Sequence, residues 1–92
     1  MLTRRVIKVA RKPRVAIKLP WSPKRIRFYR DLGKAIADAR INAMMTQADL
    51  ARRVQLSRGS VANVETGRQQ LLLHQYVDFM RVLKLDAGEM LP

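Results

Sequence analysis

Apolar residues recur at three- and four-residue spacing from Ser22 onward, a pattern that predicts short amphipathic helices rather than strands. The first helix is expected to begin near Lys24 or Asp31 and to end at Asn42. Its apolar stripe consists of Phe28, Leu32, Ile36, Ala39 and Ala43. Such a stripe must pack against other apolar surfaces, so the pattern indicates a helical bundle.

Two further helices are predicted around a short turn at residues 55–57. Thr46 stands three residues before Asp49, close to the capping-box arrangement that satisfies free amides at a helix start. This second helix is expected to bury Leu50, Ala51 and Val54. Ser57 is suited to cap the third helix, which is predicted to end near Glu65. Its inward residues are expected to be Val61 and Val64, with Gly67 as a left-handed cap after it.

A fourth helix over residues 72–83 is predicted to bury Leu73, Val77, Met80 and Leu83. Asp86 is expected to cap a short final helix that ends near Leu91. The predicted fold class is therefore all-α. It is a compact bundle of four to five helices containing a helix-turn-helix, in a domain that covers residues 24–92.

Residues 1–23 are expected to form a basic arm before this domain. The chain has 19 Lys and Arg residues against 7 acids, and all 7 acids lie after residue 30. The β-branched residues on both sides of Pro13 leave two interpretations open, a flexible arm or a β-strand or hairpin. The bases assigned to the arm are Arg4, Arg5, Lys8, Arg11, Lys12 and Arg14. A net charge of +12 points to nucleic acid or an anionic membrane as partner. No apolar run is long enough for a membrane span, and double-stranded DNA rather than a membrane is the expected partner.

Residues 46–68, TQADLARRVQLSRGSVANVETGR, resemble the signature of lambda-repressor-like regulators, the Cro/C1-type or XRE family. The matching positions are Thr46, Gln47, Leu50, Ala51, Ser57, Val61, Glu65, Gly67 and Arg68. The resemblance extends over residues 31–92 and implies a DNA-binding transcriptional regulator. One departure is Gln55, which stands where the family often has glycine. A left-handed backbone costs a non-glycine residue about 1–2 kcal/mol there.

The third helix is predicted to read base edges in the major groove, where each base pair shows a distinct pattern of donors and acceptors. Its outward residues are expected to be Arg58, Gly59, Ala62 and Asn63. Arg58 has the geometry to bond guanine, and Asn63 to bond adenine. The resemblance implies that phosphate contact or support of these readers falls to Gln47, Ser57, Ser60 and Arg68. Arg53 is expected to act with them. Glu65 is expected to hold the fold by pairing with Arg40 or Arg68.

The leading hypothesis is a sequence-specific repressor or autoregulator that binds a two-fold operator on double-stranded DNA. A homodimer is expected because one recognition helix covers few base pairs. The dimer surface is expected on the fourth and fifth helices or the N-terminal strand. The alternative is an antitoxin whose arm binds a toxin or another acidic protein in addition to DNA binding. RNA binding is less favoured, since aromatic residues make up only 5% of the chain.

Catalysis is not expected from this sequence. It has no cysteine, a single histidine, no phosphate-cradling glycine loop and no cluster with metal-ligand spacing. The predicted protein is therefore not an enzyme, and it uses no cofactor and no metal. A cytoplasmic, nucleoid-associated location is expected for such a regulator.

Overall fold

Four α-helices make up the secondary structure of residues 21–92, the part of the chain that this computed structural model describes. They are α1 (Pro23–Asn42), α2 (Gln47–Val54), α3 (Arg58–Glu65) and α4 (Leu73–Leu83). No strand occurs among these residues, and the predicted all-α class is confirmed. None of these four helices combines the length and the apolar character that crossing a bilayer requires. The predicted strand or hairpin and the bases assigned to the arm lie outside the described residues.

Side-chain caps set the beginnings of the first three helices. The Thr46 hydroxyl accepts a hydrogen bond from the Asp49 amide at 3.0 Å, and the Asp49 carboxylate accepts one from the Thr46 amide at 2.9 Å. The Ser57 hydroxyl accepts from the Ser60 amide at 3.0 Å, and Ser22 caps α1 in the same way. The capping roles predicted for Thr46, Asp49 and Ser57 are therefore confirmed.

All four helices contribute to one apolar core. The most deeply buried side chains are those of Ile36, Leu50, Val61 and Phe79, one from each helix. Around them lie Leu32, Ala51, Val54, Val64, Tyr76, Met80 and Leu83. Because α2 and α3 have only eight residues each, they owe their stability to this shared core rather than to helix propensity.

The buried face of α4 differs from the prediction. Leu73 is 79% exposed and Val77 is 38% exposed, whereas Tyr76 and Phe79 are buried. Both sets of residues have helical spacing, so periodicity alone allowed either face to point inward. The aromatic rings bury more surface than leucine and valine do, and the Tyr76 hydroxyl also donates to the carbonyl of Ala87.

The predicted final helix is also wrong: residues 87–90 form a turn. Asp86 nevertheless has the predicted capping role, since its Oδ1 atom accepts from the amides of Gly88 at 2.9 Å and Glu89 at 3.0 Å. Gly88, inside the predicted helix, disfavours helix by about 1 kcal/mol relative to alanine. Burial and the nearby Asp86 carboxylate raise the pKa of Tyr76, which keeps its hydroxyl protonated as the donor to this turn.

Candidate nucleic-acid interface

The turn between α2 and α3 keeps a left-handed residue without using glycine. Gln55 has φ 57° and ψ 44°, and the Leu56 amide donates a hydrogen bond to the carbonyl of Ala51 at 2.9 Å. This conformation costs a non-glycine residue about 1–2 kcal/mol. The replacement of the family's glycine therefore leaves the turn in the expected conformation.

The face of α3 opposite the core is open to solvent. Val61 and Val64 point inward, with exposed fractions of 0% and 3%. Three of the four predicted base-reading residues, Arg58, Gly59 and Asn63, are exposed. The fourth, Ala62, is half-buried. The structure thus brings the four residues together on one short helix of 8 residues, although their contact with bases stays a prediction.

Glu65 is the only acid on α3, and a largely buried network of hydrogen bonds neutralises it. Its Oε2 atom accepts from Arg40 Nε at 2.7 Å, and its Oε1 atom accepts from Arg40 Nη2 at 3.1 Å. Gln47 Nε2 also donates to Oε1, at 3.0 Å, while Arg40 Nη1 donates to the carbonyl of Met45 at 2.8 Å. The predicted pairing of Glu65 with Arg40 is confirmed. The network ties α3 to α1 and to the start of α2, and it leaves no free carboxylate on α3.

The predicted supporting residues lie in different surroundings. Arg53 and Arg68 are exposed, and neither forms an ion pair within residues 21–92. The Ser57 hydroxyl is occupied as the cap of α3, and Ser60 is half-buried beside it. Gln47 donates to Glu65 instead of lying free on the surface, a contact that its sequence position did not reveal.

Two glycines let α1 lie directly against the C-terminal end of α3. A Cβ atom on Gly33 would collide with the main-chain carbonyl oxygen of Val64. Gly67 has φ +80°, and a Cβ atom there would lie 2.7 Å from the Cα atom of Arg30. Gly67 was predicted, but Gly33 was missed. The available signal was a glycine inside a helical pattern, which is costly unless packing requires it.

The start of α2 carries a fixed negative charge. The main-chain amide and the hydroxyl of Thr46, together with Arg52, lower the pKa of Asp49 from 3.8 to about 2. The carboxylate therefore stays ionised at neutral pH, where it complements the positive end of the helix dipole. Arg52 donates to the same carboxylate at 2.8 Å, so this arginine is less available for a nucleic acid than Arg53.

Two solved structures resemble this chain in fold over about two thirds of its length. The clp gene regulator ClgR from Corynebacterium glutamicum matches with a TM-score of 0.66 and 21% identity, over 68% of this chain and 67% of that chain. The restriction-modification controller protein C.AhdI from Aeromonas hydrophila matches with a TM-score of 0.66 and 22% identity, over 71% of this chain and 94% of that chain.

A comparison with curated protein sequences gives no match. A family model described as a helix-turn-helix domain matches residues 31–91. This range includes the capped α2, the left-handed turn and the open face of α3, and it confirms the helix-turn-helix that the sequence predicted. The chain therefore belongs to the helix-turn-helix domain family.

Proposed function

We propose that this protein is a sequence-specific transcriptional regulator that reads double-stranded DNA with α3. The observation that carries the proposal is the asymmetry of this helix. Val61 and Val64 anchor one face in the core, while Arg58 and Asn63 project from a face with no free carboxylate. A rigid helix with such a face fits the width and the chemistry of the major groove.

Arg58 and Asn63 supply most of the base discrimination in this proposal. The guanidinium of Arg58 matches the two acceptors of guanine, O6 and N7, and the amide of Asn63 matches N6 and N7 of adenine. Each bidentate pair contributes about 1–3 kcal/mol of discrimination. Gly59 and Ala62 are small, so the helix backbone can approach the bases between these two readers.

Phosphate contacts hold the helix in register. Arg53 and Arg68 offer exposed cations on either side of α3 in the sequence. Gln47 uses one amide hydrogen on Glu65 and has a second for a phosphate oxygen. Ser57 and Ser60 support the first turn of α3, where the main-chain amides favour an anion.

The functional unit is proposed to be a homodimer on a two-fold operator. Leu73 is 79% exposed and Leu91 is 50% exposed, and both line an apolar groove with Phe28 and Tyr29 of α1. Leu72, 59% exposed, extends this surface. A second copy would cover these side chains and supply a second recognition helix.

The two similar structures support a regulatory role, since ClgR is a gene regulator and C.AhdI is a controller protein. Repression or autoregulation remains the form of control we propose. The antitoxin alternative depends on residues 1–20, which lie outside the described residues, and it stays a prediction.

Selection of the full chain on a pool of random double-stranded DNA tests the main proposal. A short two-fold motif is expected to be enriched, and an excess of duplex RNA is expected to leave its binding unchanged. Enrichment of no sequence above background would overturn the assignment of a sequence-specific reader.

The dimer is tested by measuring the mass in solution with Leu73→Glu and a matched control, Ile41→Glu. Ile41 is also exposed, at 59%, but it lies near the C-terminal end of α1, whereas the groove is lined by Phe28 and Tyr29 near the start of that helix. The L73E variant is expected to be a monomer with a much weaker preference for two-fold sites, and the I41E variant a dimer. Equal masses for the two variants would exclude this surface.

A further inference from the structure

The first two turns of α1 carry a basic surface that lies outside the helix-turn-helix. The family match begins at residue 31, whereas α1 begins at Pro23. We call residues 23–30 the α1 extension. Its four bases are all exposed: Lys24, Arg25, Arg27 and Arg30. The chain has no acidic residue before Asp31, which follows the extension directly, so the extension itself carries four positive charges and no negative one.

The α1 extension adjoins the end of the proposed recognition helix. The backbone of Arg30 packs against Gly67, two residues after the end of α3. The next residue, Arg68, is exposed. Arg27 precedes Arg30 by three residues, so the two side chains lie on neighbouring turns of one helix face. Three arginines are therefore grouped where α1 passes the C-terminal end of α3.

Arg27, Arg30 and Arg68 lack an acidic partner in the described part of the chain. None forms an ion pair within residues 21–92, while Lys34, further along α1, pairs with Asp38 at 3.2 Å. Residues 1–20 contain no acidic side chain that could pair with them. A group of unpaired guanidinium ions is suited to phosphate, which each can bind in a bidentate manner.

Arg25 differs from its neighbours. Its guanidinium carbon lies 5.6 Å from the ring centroid of Trp21, and the Trp21 ring in turn lies 5.4 Å from that of Tyr29. Arg25 thus stacks on aromatic surface at another side of the helix. It offers the same charge on the same extension, but its guanidinium lies over the ring of Trp21.

We propose that Arg27 and Arg30, together with Arg68, bind the DNA phosphate backbone beside the groove that α3 enters. The inference rests on the proposed function. Recognition helices contact base edges with their N-terminal residues, so the C-terminal end of α3 lies toward the groove edge, where the phosphates are. The contact is independent of sequence and lengthens the footprint on one side of the reading helix.

The test compares Arg27→Gln/Arg30→Gln with the control Arg25→Gln/Lys84→Gln. Each double variant removes two exposed positive charges, and glutamine keeps the helix propensity of arginine close to unchanged. Thermal unfolding of both variants is expected to match that of the unmodified protein. Affinity is then measured at several salt concentrations for the selected duplex and for a random duplex.

The R27Q/R30Q variant is expected to bind both duplexes more weakly by a similar factor. The slope of log K against log salt should become shallower by about 1.8, the value for two lost phosphate contacts. The control should change the slope by less than half as much. Equal changes in the two variants would overturn the proposal, because net charge alone would then be responsible.

The two proposals fail in distinguishable ways. If the unmodified protein shows no sequence preference, the regulator assignment fails, but the slopes on random duplex still decide the role of Arg27 and Arg30. If the preference is present and the slopes do not change, only the phosphate contact is excluded.

Discussion

Arg40 and Glu65 form an ion pair across α1 and α3 whose side chains are only 13% and 5% exposed. The pair is held by two hydrogen bonds between guanidinium and carboxylate, and Gln47 adds a third to the same carboxylate. Burying two opposite charges has a free-energy cost, and removing one of them costs more because the other is then buried without a partner. Because the pair joins α1 to α3, removing either partner should both destabilise the fold and release the orientation of α3.

Glu65→Ala is expected to lower the free energy of unfolding by about 3–5 kcal/mol, because it leaves the Arg40 charge buried and unpaired. Urea denaturation measures this change. Asp78→Ala is the matched control, since its ion pair with Arg81 lies on the surface and its loss should cost less than about 1 kcal/mol. Similar losses in the two variants would show that the buried pair does not hold the helices together.

The carboxylate of Asp49 is expected to make stability depend on acid pH. Its pKa is lowered to about 2 in the folded chain from 3.8, so folding favours the ionised form. Its contribution is fully present above about pH 4 and is lost as the pH falls toward 2. The Asp49→Asn variant lacks this contribution. The difference in unfolding midpoint between the two proteins should therefore shrink over that interval, and a difference that stays constant would contradict the shift.

Alanine at two glycines is expected to have opposite effects on stability. Gly33→Ala places a Cβ atom against the carbonyl of Val64, and overpacking of this kind costs about 1–3 kcal/mol. Gly59→Ala places its Cβ atom at an ordinary contact distance, 3.9 Å from the Ser57 hydroxyl oxygen. It should gain up to about 0.5–1 kcal/mol from helix propensity, the upper value being that for a helix interior. Thermal denaturation of both variants is the measurement. A stable G33A variant would mean that α1 does not approach α3 this closely.

Much of the fold was predictable because its signals are local. The caps at Thr46 and Ser57 and the left-handed position after α3 depend on residues a few positions apart in the sequence. The turn at Gln55 was harder, since glutamine gives no sign of a left-handed backbone, and the resemblance to a family supplied the expectation.

The errors and omissions concern contacts between distant segments. Leu73 and Val77 had the right spacing for a buried face, but the size of Tyr76 and Phe79 decided which side of α4 turned inward. The bond from Gln47 to Glu65 spans 18 residues, and no local pattern encodes it. The proximity of Arg30 to Gly67 likewise depends on how α1 crosses α3. The charges of the α1 extension were visible in the sequence, but their place beside the recognition helix was not.

The central claim is that bases are read by the exposed face of α3, and selection on random duplex DNA with Arg58→Ala and Asn63→Ala tests it most directly. Each variant is expected to lose its preference at a different position of the selected motif, a guanine for R58A and an adenine for N63A, with a loss of discrimination of about 1–3 kcal/mol. The other positions should be unchanged. Recovery of the same motif by both variants as by the unmodified protein would contradict the account.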